Sequence, residues 1–294
     1  MHSSLKPVDL LSIVFIALLA MIALFFFQTI SDALPFVIRY FLFSLFIILL
    51  AFLERKVPGN RFFNIMHAFI PIAVILLVFN SLGALIPRIH HQYYDDILIR
   101  IDFAIFGAHP TVWMERFNNA LLTGVLQIAY ISYYFMPISL GTVLFFRKKH
   151  KEFDIAVYAI VLCFYLSYVG YLLFPAVGPR FTLNYLQTAD LQTDHLTAWI
   201  RQGLDGLEQN KTDAFPSGHT AIALVSLYYA WKCREHTLIC ILVPAVSALI
   251  VSTVYLRYHY VIDVIAGIML AVLTLLIAPG TFRLFSKSSN QLQG

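Results

Sequence analysis

The chain is short of charge. Asp, Glu, Lys and Arg make up 12% of its 294 residues, where a soluble domain of this size carries roughly 25%. Hydrophobic residues supply 60% and the mean hydropathy is +0.78, which excludes an ordinary soluble globular protein. The charges that remain, 20 basic against 16 acidic, leave a net charge of +4. That excess is too mild to recruit nucleic acid, and in a membrane protein it reflects cytoplasmic loops. Cysteine is scarce as well. Cys163, Cys233 and Cys240 lie in or beside apolar runs with no CxxC spacing, so they read as small apolar fillers and not as a disulfide framework or a zinc site. No Gly/Ser-rich or Pro-rich linker, low-complexity tract or clear internal repeat divides the chain.

What is present is a series of apolar runs, several reaching the roughly 20 residues that cross a bilayer. They predict an all-α, polytopic transmembrane helical bundle of about eight spans, at 10–30, 36–53, 65–86, 120–146, 154–174, 218–232, 237–256 and 260–279. The first run is followed by Ser31-Asp32-Ala33, a faint cleavage-site pattern, but it is too long for a signal-peptide core and reads as a span. Residues 1–64 form an additional N-terminal helix pair, 65–280 a six-helix core and 281–294 a cytoplasmic tail. Two outer segments do not span. In 87–118, Ile97, Leu98, Ile101 and Ile105 mark an interfacial helix, with Asp95, Asp96 and Asp102 read as solvated loop carboxylates. The other, 175–215, is long and polar, as functional lids are.

The run Arg147-Lys148-Lys149-His150-Lys151 is the densest basic cluster and should face the cytoplasm. Alternating outward from it puts both termini inside. No functional motif enters that assignment, yet Arg180, His219, His259 and Asp263 then fall at the outer ends of spans five to eight. One shared site at the outer boundary is the expectation.

Pro216-Ser217-Gly218-His219 stands where a helix starts. Ser217 can cap it, the unpaired backbone N–H groups favour an anion, and Gly218 lets a phosphate approach closely. The alternative is an ordinary capped start with an incidental histidine. His259 and Asp263, spaced i and i+4, would share one helix face, where a carboxylate can hold one imidazole nitrogen protonated and free the other as nucleophile or base. The alternative is a histidine merely satisfied by its neighbour, although intramembrane ionisable pairs are costly. His67, His90, His91, His150 and His195 read as loop or interfacial histidines, and Tyr130, Tyr133, Tyr134 and Phe135 as helix packing beside a lipid entry.

Phe215-Pro216-Ser217-Gly218-His219 followed by His259-x3-Asp263 resembles the type 2 phosphatidic acid phosphatase superfamily over roughly residues 65–280. The resemblance implies a six-helix membrane core and metal-independent phosphoryl transfer with no cofactor. His259 would attack phosphorus and form a phosphohistidine, with Asp263 orienting it. His219 would protonate the leaving alkoxide and then activate the incoming hydroxyl. Ser217 and the Gly218 amide would bind phosphoryl oxygens, and arginines would neutralise the developing charge.

Two departures stand out. The family's third motif has arginine after its serine, where Thr253 follows Ser252 here; Arg257, a helical turn later, could supply the guanidinium. The first motif, Lys-x6-Arg-Pro, is absent. Its arginine role passes to Arg180, and its lysine role stays open, with Lys211 either a stand-in or a plain solvated lysine. The stretch Val254 to Asp263 is similar to the inositol phosphorylceramide synthase and sphingomyelin synthase branch, which transfers a phospho-headgroup to a lipid alcohol.

The expected function is therefore hydrolysis of a phospholipid or polyprenyl phosphate, or transfer of its phospho-headgroup, in a bacterial inner membrane with the site facing the periplasm. The partners are a lipid phosphate or phosphodiester and the bilayer. The rival reading is a non-catalytic phospholipid transporter or flippase, which would favour paired, interrupted repeats that the sequence does not show.

Overall fold

The computed structural model describes residues 5–27, 33–207 and 210–291; the end of the first predicted span at 28–30, with Ser31 and Asp32, lies outside them. In chain order the helices are α1 (Pro7–Phe25), α2 (Ala33–Lys56), α3 (Arg61–Ile89), α4 (Asp95–Phe106), α5 (Pro110–Trp113), α6 (Ala120–Phe146), α7 (His150–Leu173), α8 (Pro179–Thr182), α9 (His195–Leu207), α10 (Gly218–Lys232), α11 (His236–Tyr255) and α12 (Val261–Gln291). The all-α bundle expected from the apolar runs is what forms. α1, α2, α3, α6, α7, α11 and α12 are long and apolar enough to cross a membrane. α10 has 15 residues, a rise of only about 22 Å, short of the ~30 Å hydrocarbon core. It packs among α6, α7, α11 and α12, so neighbouring protein covers it. The C-terminal helix runs past the expected span end to Gln291, because Phe282 and Phe285 pack on Tyr158 of α7.

Charged clusters mark one end of the bundle. Buried Glu235, between α10 and α11, accepts from Arg147 at 2.6 Å and Lys149 at 2.7 Å, tying two loops together. At the same end, His67 is no loop histidine: it is buried, with Nε2 2.8 Å from Asp9 and Nδ1 against Glu54. Lys6 lies 3.6 Å from Glu54, so the network joins α1 and α2 to α3.

The opposite end is braced by α4. Asp95 accepts from the Val177 and Gly178 amides at 3.0 and 2.9 Å and from the Tyr260 hydroxyl at 2.8 Å. Asp102 accepts from the amides of Val261 and Ile262 at 2.9 and 2.8 Å. Both carboxylates are buried, which corrects the reading of them as solvated. The cause is chemical: the amides at the start of α12 lack partners within the helix, and a carboxylate is the strongest acceptor for them. Through these two carboxylates α4 is tied to the segment after α7 and to the start of α12. α5 and the turn after it continue at a 63° bend.

Candidate functional site

The chain enters α10 through a cis Phe215–Pro216 peptide. Ser217 caps the helix, accepting from the Thr220 amide at 3.3 Å, while its own amide donates to the Asp263 carbonyl at 3.0 Å. Gly218 lies against the Tyr171 hydroxyl, where a Cβ would collide. His219, in the first turn, is buried between the rings of Tyr130 and Tyr133, with centroids 4.7 and 4.4 Å away. These tyrosines do more than pack helices, because they fix the plane of an imidazole.

His259 arrives from the other side. α11 ends at Tyr255, and the chain turns through Arg257 at φ +68°, with the amides of Tyr258 and His259 both donating to the Thr253 carbonyl at 3.0 Å. His259 therefore precedes α12 and does not share a helix face with Asp263. Their spacing is kept by a cap instead. Asp263, third residue of α12, accepts from the Tyr260 amide at 2.8 Å and holds its carboxylate 3.5 Å from His259 Nδ1, as the acidic member of a capping box does. The shorter contact of Nδ1 is to the Ala214 carbonyl, at 2.7 Å. A carbonyl can only accept, so Nδ1 carries the hydrogen there and Nε2 presents its lone pair.

The two imidazoles meet. His219 Nδ1 and His259 Nε2 are 3.2 Å apart, with ring centroids at 5.4 Å. His219 Nε2 is buried and has no hydrogen-bond partner among the described residues. The two histidines also line a small polar pocket of about 20 Å³ with Arg180, Lys211, Asn210 and Tyr258. That space fits about one water-sized group. The Arg180 guanidinium stacks 5.1 Å over Tyr258, which stacks at 4.4 Å on Tyr130, so a column of π-faces links the cation to His219.

Arg257 lies elsewhere. Its guanidinium bonds Gln187 and, at 2.8 Å, the Ala189 carbonyl, and sits 3.9 Å from Glu115. The helical-turn argument for it fails because the helix has already ended and the left-handed bend turns the side chain toward the outer loop. Arg180 and Lys211, and not Arg257, line the pocket. Neither Ser217 nor Gly218 lines that pocket. Ser217 is taken up by capping α10 and by the hydrogen bond from its amide to Asp263 of α12, and Gly218 lies against the Tyr171 hydroxyl of α7.

Several contributors carried no sequence signal. The Ala214 carbonyl is backbone, and the alignment of Ala214 comes from its amide donating to Ala176 at 3.0 Å. Gly178 adopts φ +89°, and a Cβ there would stand 2.5 Å from the Tyr258 carbonyl, so the loop bearing Arg180 packs against the His259 turn only with glycine. The sequence offers only Gly178-Pro179-Arg180 as a hint.

His219 also lines a second space, an apolar groove of about 280 Å³ between α3, α6 and α7. With Asp213 it stands where the groove and the polar pocket adjoin.

A profile described as the PAP2 superfamily matches residues 96–277. A phosphoinositol dihydroceramide synthase of Bacteroides thetaiotaomicron is 29% identical over 161 residues, 50% of this chain and 52% of that protein. A PA-phosphatase related-family protein of Dictyostelium discoideum is 27% identical over 200 residues, 59% of this chain and 35% of that protein. The chain thus spans about half or less of the length of these relatives. No solved structure matches it.

Proposed function

From the chain's membership of the PAP2 superfamily, we propose that it is an integral-membrane enzyme that breaks a lipid phosphate or phosphodiester through a phosphohistidine on His259. The observation that carries this reading is the position of His219. It touches the other imidazole, has an Nε2 with no hydrogen-bond partner among the described residues, and stands where a cationic pocket adjoins an apolar groove. Such a junction suits a molecule with a phosphate at one end and hydrocarbon at the other.

In the first half-reaction His259 Nε2 attacks phosphorus, with Nδ1–H held by Ala214 and Asp263. The bond from phosphorus to the leaving oxygen breaks, its electron pair stays on that oxygen, and His219 delivers a proton to it. In the second, His219 takes a proton from water or a lipid alcohol, whose oxygen attacks phosphorus as the P–N bond breaks. Arg180 and Lys211 are placed to offset the charge on the phosphoryl oxygens. Because the polar pocket is small and the rings touch, an entering phosphoryl group must part them.

A lipid alcohol as acceptor is favoured by the name of the Bacteroides relative and by the His259 segment. The site then faces the periplasm of a bacterial inner membrane with both termini cytoplasmic, as the basic loops held by Glu235 at the other end support.

The test uses purified protein with phosphatidic acid or phosphatidylinositol labelled in the phosphate, with and without ceramide. Wild type should cleave the bond and, on rapid quenching, carry an acid-labile, base-stable label. His259→Ala should lose both, with turnover down at least about 10⁴-fold. Redistribution of intact lipid without cleavage indicates a carrier and overturns the proposal.

A further inference from the structure

The groove that leaves His219 has a floor, and we propose that this floor sets the length of lipid chain the protein accepts. The inference rests on the lipid-phosphate reading above. Along α7 the lining residues run from Tyr171 to Phe153, eighteen positions or about 27 Å of helix. Along α3 they run from Phe79 to Ala68, about 16 Å. Half of a hydrocarbon core is about 15 Å, so a chain that starts at His219 and follows these walls reaches past the bilayer midplane. Between its ends the lining is apolar or aromatic, with tyrosine hydroxyls as its polar side-chain groups, which suits hydrocarbon.

Three phenylalanines close the far end. Phe69, Phe145 and Phe153 stand with ring centroids 5.6 to 6.1 Å apart. Gly141 of α6 faces two of them: a Cβ there would meet Phe153 at 3.6 Å and Phe69 at 4.0 Å, ordinary contact distances. Glycine thus leaves the floor as wide as the backbone permits, and a longer side chain would fill it. Beyond the floor comes charge. A small pocket lined by Lys6, His67 and Asp154 shares Ala68, Phe153 and Val157 with the groove. Hydrocarbon pushed further would desolvate those groups at high cost. Aromatic rings backed by a charged network form a stop.

Dioctanoyl, dimyristoyl and distearoyl phosphatidic acid, presented in nanodiscs, test the stop. Gly141→Leu should lower the ratio of kcat/KM for distearoyl over dioctanoyl lipid by about tenfold, and Phe153→Ala should raise it. A second measurement is independent of turnover and of how the variants fold. Distearoyl phosphatidic acid with a diazirine at the chain end, photolysed with the wild-type protein, should label the segments holding Phe69, Gly141 and Phe153. Labelling of the floor without turnover of any phosphatidic acid would uphold the groove and sink the enzymatic reading instead. Label confined to the outward faces of α2 and α11, or an unchanged chain-length ratio in both folded variants, overturns the proposal.

Discussion

Burial of His259 disfavours its charged form, yet the Asp263 carboxylate, the charge of Asp213 and the Ala214 carbonyl outweigh burial and hold the imidazole above its ordinary range. A nucleophilic imidazole must be neutral. Turnover should therefore fall as pH drops through a value higher than the usual ~6.5. Asp263→Asn removes a group that favours the cation, so the acid limb of its pH–rate profile should move to lower pH while the maximal rate falls. Profiles of kcat/KM for the two proteins check this; an unmoved limb would assign the titration to another group. The same scale explains the two arginines. Arg180 is held over an aromatic face beside the histidines, whereas Arg257 and Glu115 organise the outer loop at Gln187, Thr188 and Ala189.

Among the elements, α4 has the least expected role. Its two buried carboxylates hold the start of α12 and the loop that carries Arg180, so a helix outside the two short motifs sets the distance between cation and nucleophile. Asp95→Ala would strand the amides of Val177 and Gly178, leaving the hydroxyl of Tyr260 only Thr182 at 2.6 Å, and an unpaired buried group costs about 1–3 kcal/mol. The expected result is a lower melting temperature in detergent together with lost activity. Retention of full activity at the native melting temperature would show that the loop holds its place without this brace. The turn between α11 and α12 makes a related point. Spacing of four residues survives there although no helix connects them, because a cap at the head of α12 reproduces the contact that a helix face would give.

At the scale of the whole molecule, the networks around Glu235 and Glu54 gather at one end and the His219–His259 pair lies at the other. Asp9, Glu54 and His67 join α1 and α2 to the core where water is scarce. Removing one member of a buried pair costs about 3–5 kcal/mol, since the other is left uncompensated. Asp9→Ala should accordingly destabilise the bundle as measured by thermal unfolding in detergent. Because Asp9 lies far along the bundle from His219, the folded fraction should keep its turnover per site. A destabilisation near zero would mean that α1 is held by apolar packing alone.

The sequence determined the membrane character, the long helices and the two motifs that meet. Apolar run length and helix-cap chemistry are local properties, written in consecutive residues. Tertiary structure alone decided which groups surround the imidazoles. The Ala214 carbonyl, the tyrosine stack and the burial of Asp95 and Asp102 arise from contacts across up to 165 positions of chain, and no periodicity encodes them. Arg257 is the plainest case. Read along a helix it faces the site, but a left-handed residue at the end of α11 turns it toward the outer loop, and where a helix stops depends on what packs against it.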